Sequence, residues 1–521
     1  MKLNSKQKKT VLYSILINYC IYILLRLFFF TTYESQLDIM VQAAVQGVSG
    51  TKTASILYSN VTHGYIIKWF TIAIPFINWY YVYLVVTVLV SLSMISYIII
   101  LRAGRKMGVT ISVVLASFIG YECYILPGHM KSAGVLGMAA LILLGDTIER
   151  NRLNNPKRKW LIIVLAVLCS MVSMSVFVIT LILGLTGIIV YAGSQHEWKN
   201  LSCFRKDGKL VKEQVRPLLY VAAGILAGVI LFRGIDVISY HVRGYDNSVK
   251  YRSAVIRMYG YGMGDYDESY AEKYGIDNAE YDSVKKGSFG VTGISTWEKL
   301  KKISEQYEKV SLKTVNDYFK SVPLTWFGYG TFYLFLIMLF LLSYAPVRKK
   351  KVIVWTQTIL LFIAFLVLYV CHAWWNNWIV FVTVLPLILP MLLAQKDVPE
   401  IEYRYLWAYL VVMSVILYGK FSSGMVSGVS TEDMSDRFAA LTTEQINMID
   451  LNAYLKSFSA QKNYTRGILT ADNVVVSNGA YALMDGFEDD VMTACPSENE
   501  RYDWVYNTKD ISIWNMVFED E

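Results

Sequence analysis

Residues 160 to 193, WLIIVLAVLCSMVSMSVFVITLILGLTGIIVYAG, carry no charged side chain, and whether they cross a membrane once or twice decides the topology of the chain. The basic run Arg150, Arg152, Lys157, Arg158 and Lys159 precedes them, and Lys199, Arg205, Lys206, Lys209, Lys212 and Arg216 follow. Positive charge collects on the cytoplasmic side of a bilayer. One long helix would send the second basic run outside and invert everything after it. Two short passes hinged near Ser173 and Ser175 keep both runs inside, and that is the reading adopted.

Working outward, hydropathy places spans near 11–31, 78–101, 109–126, 132–146, 160–174, 176–193, 217–234, 325–345, 352–370, 378–394 and 405–420. A helix needs ~20 residues to cross ~30 Å of hydrocarbon. Eleven spans also put the remaining basic runs inside: Lys6/Lys8/Lys9, Arg102/Arg105/Lys106 and Arg348 to Lys351. With 55 % hydrophobic and only 17 % charged residues, the composition excludes an ordinary soluble domain. The expected fold is an all-α polytopic transmembrane bundle with a helical extracytoplasmic loop and a small mixed α/β segment at the C-terminus. The expected localisation is a bacterial cell membrane, with the N-terminus cytoplasmic and the C-terminus extracytoplasmic.

The basic start before the first apolar stretch lacks a small-residue cleavage pattern after Phe28, Phe29 and Phe30, so it reads as an uncleaved anchor. The expected organisation is a membrane module over 1–234 containing a first outer loop 32–77, an outer loop domain 235–324, further spans over 325–420 and an outer segment 421–521. The middle loop balances 13 basic against 13 acidic residues, whereas the C-terminal segment has 6 against 17, so the chain's net +8 conceals a tail of −11. Basic inner loops fit the positive-inside pattern, and the basic balance gives no support for a nucleic-acid partner. The 6 cysteines are scattered over spans, an inner loop and the tail, which is not a disulfide framework.

Residues 54 to 76 are apolar but interrupted by Asn60, Thr62, His63 and Lys68 and closed by Pro75, which predicts a helix lying in the outer interface and roofing a cavity. A true span then opens at Asn78, Trp79, Tyr80 and Tyr81. In the middle loop, Trp297, Leu300, Ile303 and Tyr307 have helical spacing. Before them, a Tyr- and Gly-rich stretch reads either as packing against the membrane surface or as a sugar-stacking lid. In the tail, Thr442 to Phe458 reads as a helix, and Gly467 to Leu469 and Asn473 to Val476 read as strands.

Asp38 follows the first span by a few residues and is the candidate general base toward a hydroxyl acceptor, with Glu34 competing for the role. The plainer reading of Asp38 is a solvated or helix-start carboxylate. Arg26, near the outer end of the first span, either snorkels to the interface or pairs with Asp38 or a phosphate. His129 and Lys131 lie in GHMKSAG, expected as an outer hairpin between spans three and four, where cationic donors would meet a lipid-linked phosphate. His63 is a further candidate for that work. Asp265, Tyr266 and Asp267 spell D-x-D, a metal-binding pattern in other settings, but no metal site is assigned and no cofactor is expected beyond an open question over a divalent cation. The aromatic hairpin His372 to Trp378 reads as an interfacial belt.

LDIMVQAAVQGVSG (37–50), NVTHGYIIKWF (60–70), PFINWYY (75–81), HMKSAGVLGMAALILL (129–144) and the segment Gly260 to Gly290 together resemble a family of large uncharacterised membrane proteins of Gram-positive bacteria. The resemblance covers roughly residues 11 to 320. That family is similar in architecture to GT-C glycosyltransferases, whose first outer loop holds an acid and whose donor is a polyprenyl-phosphate sugar. The chain departs from the family's pattern in having Leu37 before Asp38 where paired acids are usual, and in lacking an Arg in SMSVFVI (173–179). The resemblance implies transfer of a sugar from a polyprenyl-phosphate donor to an extracytoplasmic glycan, wall polymer or protein. An O-antigen-type polymerase and a non-enzymatic flippase or accessory subunit stand as alternatives. Charge pairs deep in the spans would favour transport, and in the sequence only Arg26 comes near that pattern.

Overall fold

The computed structural model describes residues 5–29, 31–47, 52–56, 59–150, 152–194, 211–243 and 377–394, four strands after residue 446, and isolated positions elsewhere. The spans expected near 325–345 and 405–420, the loop helix at Trp297 to Tyr307, Asp265 and Asp267, and Gly467 to Leu469 lie outside the described residues. The chain forms two compact units. One gathers Met1–Phe30, Tyr83–Arg233 and Ser311–Val426, and the other gathers Thr31–Val82, Gly234–Val310 and Ser427–Glu521. The second unit thus draws together most of the three segments that the sequence assigns to the outer side.

The first unit is built from helices α1 (Ser5–Phe28), most of α4 (Trp79–Ala103), α5 (Arg105–Gly120) with a π-helical turn at Tyr121–Ile125, α6 (His129–Glu149), α7 (Pro156–Val172), α8 (Met174–Ser194), much of α9 (Val211–Val242), and the short α10 (Asn377–Val384) and α11 (Leu389–Ala394). A 3₁₀ turn at Leu385–Ile388 joins the last two. Helix α6 is the centre of this unit, buried from His129 through Thr147. Gly137 lets two neighbours approach it closely: a Cβ there would come within 2.8 Å of Thr180 on α8 and 3.1 Å of Cys169 on α7. Small residues allow this approach where lipid supplies no hydrophobic drive between helices.

The uncharged block is two helices. Cys169 meets Ala133 near the start of α6, while Arg158 at the start of α7 meets Asp146 near the end of α6, so α7 runs antiparallel to α6. Thr180 packs at Gly137 and Gly184 at Leu141, so α8 runs back parallel to α6. The reversal takes place at Ser173, which is extended (φ −156°, ψ 115°), ends α7 through its N–H to Cys169 and accepts from the N–H of Phe177 at the start of α8. Serine suits this position because its hydroxyl can receive an otherwise orphaned helix N–H, here that of Val176.

Among the described residues, six helices are long and apolar enough to cross a membrane: Gln7–Phe28, Trp79–Ala103, Arg105–Ile125, His129–Glu149, Met174–Tyr191 and Arg216–Val242. Their outward faces are apolar, as on α8, where Val178, Ile182, Leu185 and Ile189 are exposed. The protein is therefore a polytopic membrane protein.

In the second unit, α2 (Gln36–Gln46) and α3 (Val61–Ala73) pack together beside the first residues of α4 and the end of α9. Helix α3 has an unusual polarity: its exposed side carries Tyr65, Ile66, Trp69 and Ile72, while His63, Gly64 and Thr71 are buried. A helix resting its apolar side on hydrocarbon has this pattern. A mixed four-stranded sheet of order β2-β1-β4-β3 is formed by β1 (Asn447–Asp450), β2 (Val474–Ser477), β3 (Tyr502–Thr508) and β4 (Ile511–Met516). β1 and β2 are parallel, and the other pairs are antiparallel.

Three expectations are corrected. Asn447–Asp450 is a strand inside the stretch read as a helix, because β1 finds partners in β2 and β4, which its local pattern does not reveal. The span expected at 217–234 does not end there: α9 continues to Val242, and Asp236 and Arg243 find hydrogen-bond partners around α3. His129 and Lys131 are not in a hairpin loop but open α6, fully buried.

Candidate functional site

The site in the second unit is built around Asp38. Ser35 caps α2, its hydroxyl accepting from Leu37 N–H at 3.1 Å, and this sets Asp38 in the first helical turn, where the helix dipole favours a carboxylate. Asp38, Gln42 and Gln46 recur every four residues and so share one side of α2, at 0 %, 0 % and 6 % exposure. The solvated carboxylate that position alone allowed is thus absent: Asp38 is wholly withdrawn from water. The Tyr80 hydroxyl donates to Asp38 Oδ1 at 2.6 Å, a short charge-assisted bond.

Tyr80 is itself held. Its ring lies 5.9 Å from that of Tyr33. Asn78 caps α4 by accepting from Tyr81 N–H at 3.2 Å, and its amide donates to the Ala460 carbonyl at 2.6 Å and to the Tyr33 hydroxyl at 3.3 Å. Ala460 in turn donates its N–H to Thr31 at 2.9 Å. A residue of the C-terminal segment therefore closes a polar network with the loop that carries Asp38. Such an arrangement fixes a carboxylate oxygen and its donor in place.

The other candidates in this unit divide. Glu34 lies just ahead of α2 and is half-buried. His63 is buried on α3 with Nδ1 3.3 Å from the Ser59 hydroxyl, and burial pushes its pKa down to about 4. At neutral pH it is an uncharged imidazole and brings no positive charge to a phosphate. Asp236 accepts from Val61 N–H at 2.9 Å and Asn60 from Thr62 N–H at 3.0 Å, so two side chains anchor the start of α3.

In the first unit, Arg26 occupies the last turn of α1 and is half-buried. Lys131 donates to Glu122 Oε2 at 2.8 Å and to the Glu122 carbonyl at 3.2 Å, and its ammonium lies 5.8 Å from the centre of the Phe381 ring. Both side chains are sealed, at 0 % and 4 % exposure. Glu122 belongs to the π-helical turn, which Tyr121 and Tyr124 hold against Phe29 and Tyr22 through edge-on ring contacts of 5.7 and 5.1 Å. Buried ion pairs add little net stability over apolar packing, and π-turns recur at functional sites. A donor phosphate reaching Lys131 would have to replace Glu122.

Near the other end of α6, Arg102 reaches Asp146 at 3.1 Å, Glu149 at 2.5 Å, Tyr191 at 3.0 Å and the Leu393 carbonyl, while Arg150 and Arg158 also hold Asp146, at 2.8 and 3.0 Å. Among the described residues no group of three or more His, Cys, Asp or Glu is placed to hold a metal.

Tyr80 and Glu122 were not singled out in the sequence. In the sequence Tyr80 belongs to the aromatic interface of NWYY, and Glu122 is one acid in an apolar stretch; a pattern search for acids within spans finds the second. Compared with family models, curated proteins and solved structures, the chain matches none.

Proposed function

We propose that this protein is a GT-C-like membrane glycosyltransferase that transfers a sugar from a polyprenyl-phosphate donor to an extracytoplasmic glycan, wall polymer or protein. The observation that carries the reading is the Asp38 carboxylate, buried at the head of α2 directly after the first span and hydrogen-bonded by Tyr80. A desolvated, oriented carboxylate in the first loop suits abstraction of an acceptor hydroxyl proton as the sugar carbon is attacked and the lipid phosphate leaves. Tyr80 acts as the positioning residue, and Glu34 is the reserve acid. Lys131 and His129 serve the donor phosphate, Lys131 after release by Glu122. The proposal includes eleven spans with the N-terminus cytoplasmic and the C-terminus extracytoplasmic. A second reading, a flippase or accessory subunit of a surface-polymer pathway, is favoured by the Lys131–Glu122 pair, since ion pairs buried within spans mark transport paths.

The test is surface-glycan extension in cells lacking the native gene, complemented with each variant at matched membrane abundance. Asp38→Asn keeps size and accepts the Tyr80 hydrogen bond but cannot take a proton, so turnover is expected to fall by roughly 100-fold or more while thermal stability is retained. Tyr80→Phe is expected to show a smaller loss. Undiminished extension by Asp38→Asn would reject the enzymatic mechanism and leave the flippase or accessory reading ahead.

A further inference from the structure

Helices α7 and α9 run side by side in the same direction. Ile163 packs where Gly224 lacks a side chain and Val167 where Gly228 does, so equal steps along the two helices stay in register. One turn earlier on each, the register brings Lys159 to Tyr220, the ammonium 5.9 Å from the ring centre. Arg216 comes to the same ring from α9 itself, its guanidinium carbon 5.7 Å from the centre and its Nε donating to the Tyr220 hydroxyl at 3.1 Å. Two cations therefore share one aromatic ring, and no ion pair joins either of them to a carboxylate among the described residues. Their neighbour Arg158 belongs to the Asp146 cluster, so carboxylates are used at this end of the bundle, but not here.

The position along the membrane normal follows from the flanking residues. Trp160, 66 % exposed, opens the uncharged block, while Leu219 and Tyr220, at 62 % and 55 %, stand near the start of the apolar span Arg216–Val242. Trp and Tyr at the margin of apolar runs mark the headgroup level. Exposed aromatic surface, two cations with no carboxylate partner among the described residues and a tyrosine hydroxyl thus meet where a phosphodiester would be. Like charges converging on one ring repel, and an anion between them reverses that repulsion.

We infer that Lys159, Arg216 and Tyr220 form a binding notch for the phosphodiester of an anionic phospholipid, with Trp160 and Leu219 bordering its glycerol and acyl region. The two cations neutralise the headgroup, and the Tyr220 ring fixes the spacing between them. This site is independent of Asp38 and of the glycosyl-transfer reading.

The experiment is native mass spectrometry of the full-length protein in neutral detergent, titrated with phosphatidylglycerol and, separately, with phosphatidylcholine. Each cation near an anionic surface contributes roughly fivefold in affinity. Lys159→Gln/Arg216→Gln is therefore expected to bind the tightest phosphatidylglycerol roughly twentyfold more weakly, with phosphatidylcholine binding unchanged. Lys8→Gln/Lys9→Gln removes the same charge from exposed sites on α1 and should leave that tightest binding intact. The exchange Lys159→Arg/Arg216→Lys should also preserve it. If the double variant is not monodisperse, Arg216→Gln alone, at an exposed position, decides with its fivefold loss. Equal phosphatidylglycerol binding by wild type and notch variants would overturn the inference, as would an equal loss in the α1 variant. Displacement of the bound lipid by millimolar inorganic phosphate would reassign the notch to a soluble anion and would equally overturn it.

Discussion

The two ends of α6 treat buried charge in opposite ways. At its start, Lys131 is matched to the single carboxylate of Glu122 and both are closed off from water. Near its end, Asp146 is shared by Arg102, Arg150 and Arg158, which come from the end of α4, the end of α6 and the start of α7, and Arg150 remains 31 % exposed. Losing one member of a one-to-one buried ion pair leaves the opposite charge buried. A shared carboxylate keeps partners when one arginine leaves. The contrast separates a closed one-to-one pair from a shared carboxylate that fastens helix ends.

The largest effect is therefore expected at Lys131. Lys131→Met leaves Glu122 buried without its partner, and breaking such a pair costs about 3–5 kcal/mol. Replacing both, as Glu122→Leu/Lys131→Met, removes the stranded charge and should restore most of that stability, because well-packed apolar residues match a buried pair. Thermal unfolding in detergent measures both. A single variant as stable as wild type would place water or another charge beside Glu122 and erase the contrast between the two ends. If the restored double variant also keeps normal surface-glycan extension, the pair has no part in donor binding or transport.

His63 provides the second test, because it too is buried with a local partner but without charge. Its unfolded pKa is near 6.5 and its folded pKa about 4, so on lowering the pH the unfolded state takes up a proton first. The stability His63 permits is complete above pH 6.5, declines as pH falls from 6.5 toward 4 and is level below that. The full decline has an upper bound on the order of 3 kcal/mol. The wild-type minus His63→Gln difference in melting temperature should follow that window. Parallel profiles for the two proteins would mean that His63 is solvated or shares its proton with a charged neighbour.

These comparisons also show which parts of the molecule were legible in the sequence. Hydropathy located α1, α4, α5, α6 and α9, because lipid-facing surface must be apolar whatever the tertiary partners are. The break at Ser173 was legible from charge bookkeeping on either side of an uncharged block, although no proline or glycine marks it. Asp38 stood out by position. Its burial did not, since that depends on Tyr80 on a later helix and on Ala460, hundreds of residues away in sequence, supporting Asn78. The Glu122–Lys131 pair crosses a π-turn and a helix start, so neither residue falls on a helical or strand period with the other. β1 was misread for a related reason: NMID acquires its strand identity from residues 474–477 and 513–515.

The smallest effect is expected at the shared end. Arg150→Ala removes one of the three guanidinium groups from Asp146, at a side chain partly in solvent, leaving Arg102 at 3.1 Å and Arg158 at 3.0 Å to keep the carboxylate matched. Arg150 also lies four residues from Asp146 on adjoining helical turns, and such pairs contribute only about 0.3–0.5 kcal/mol. The expected loss is thus below about 1 kcal/mol, several times smaller than at Lys131. Arg102→Ala should cost more than Arg150→Ala, because Arg102 is 1 % exposed and ties α4 to Glu149, Tyr191 and the Leu393 carbonyl as well. Melting temperatures of the three variants in one detergent give the ranking directly. A loss at Arg150 as large as that at Lys131 would show that Asp146 depends on each arginine separately, and the sharing inferred for this end of α6 would be wrong.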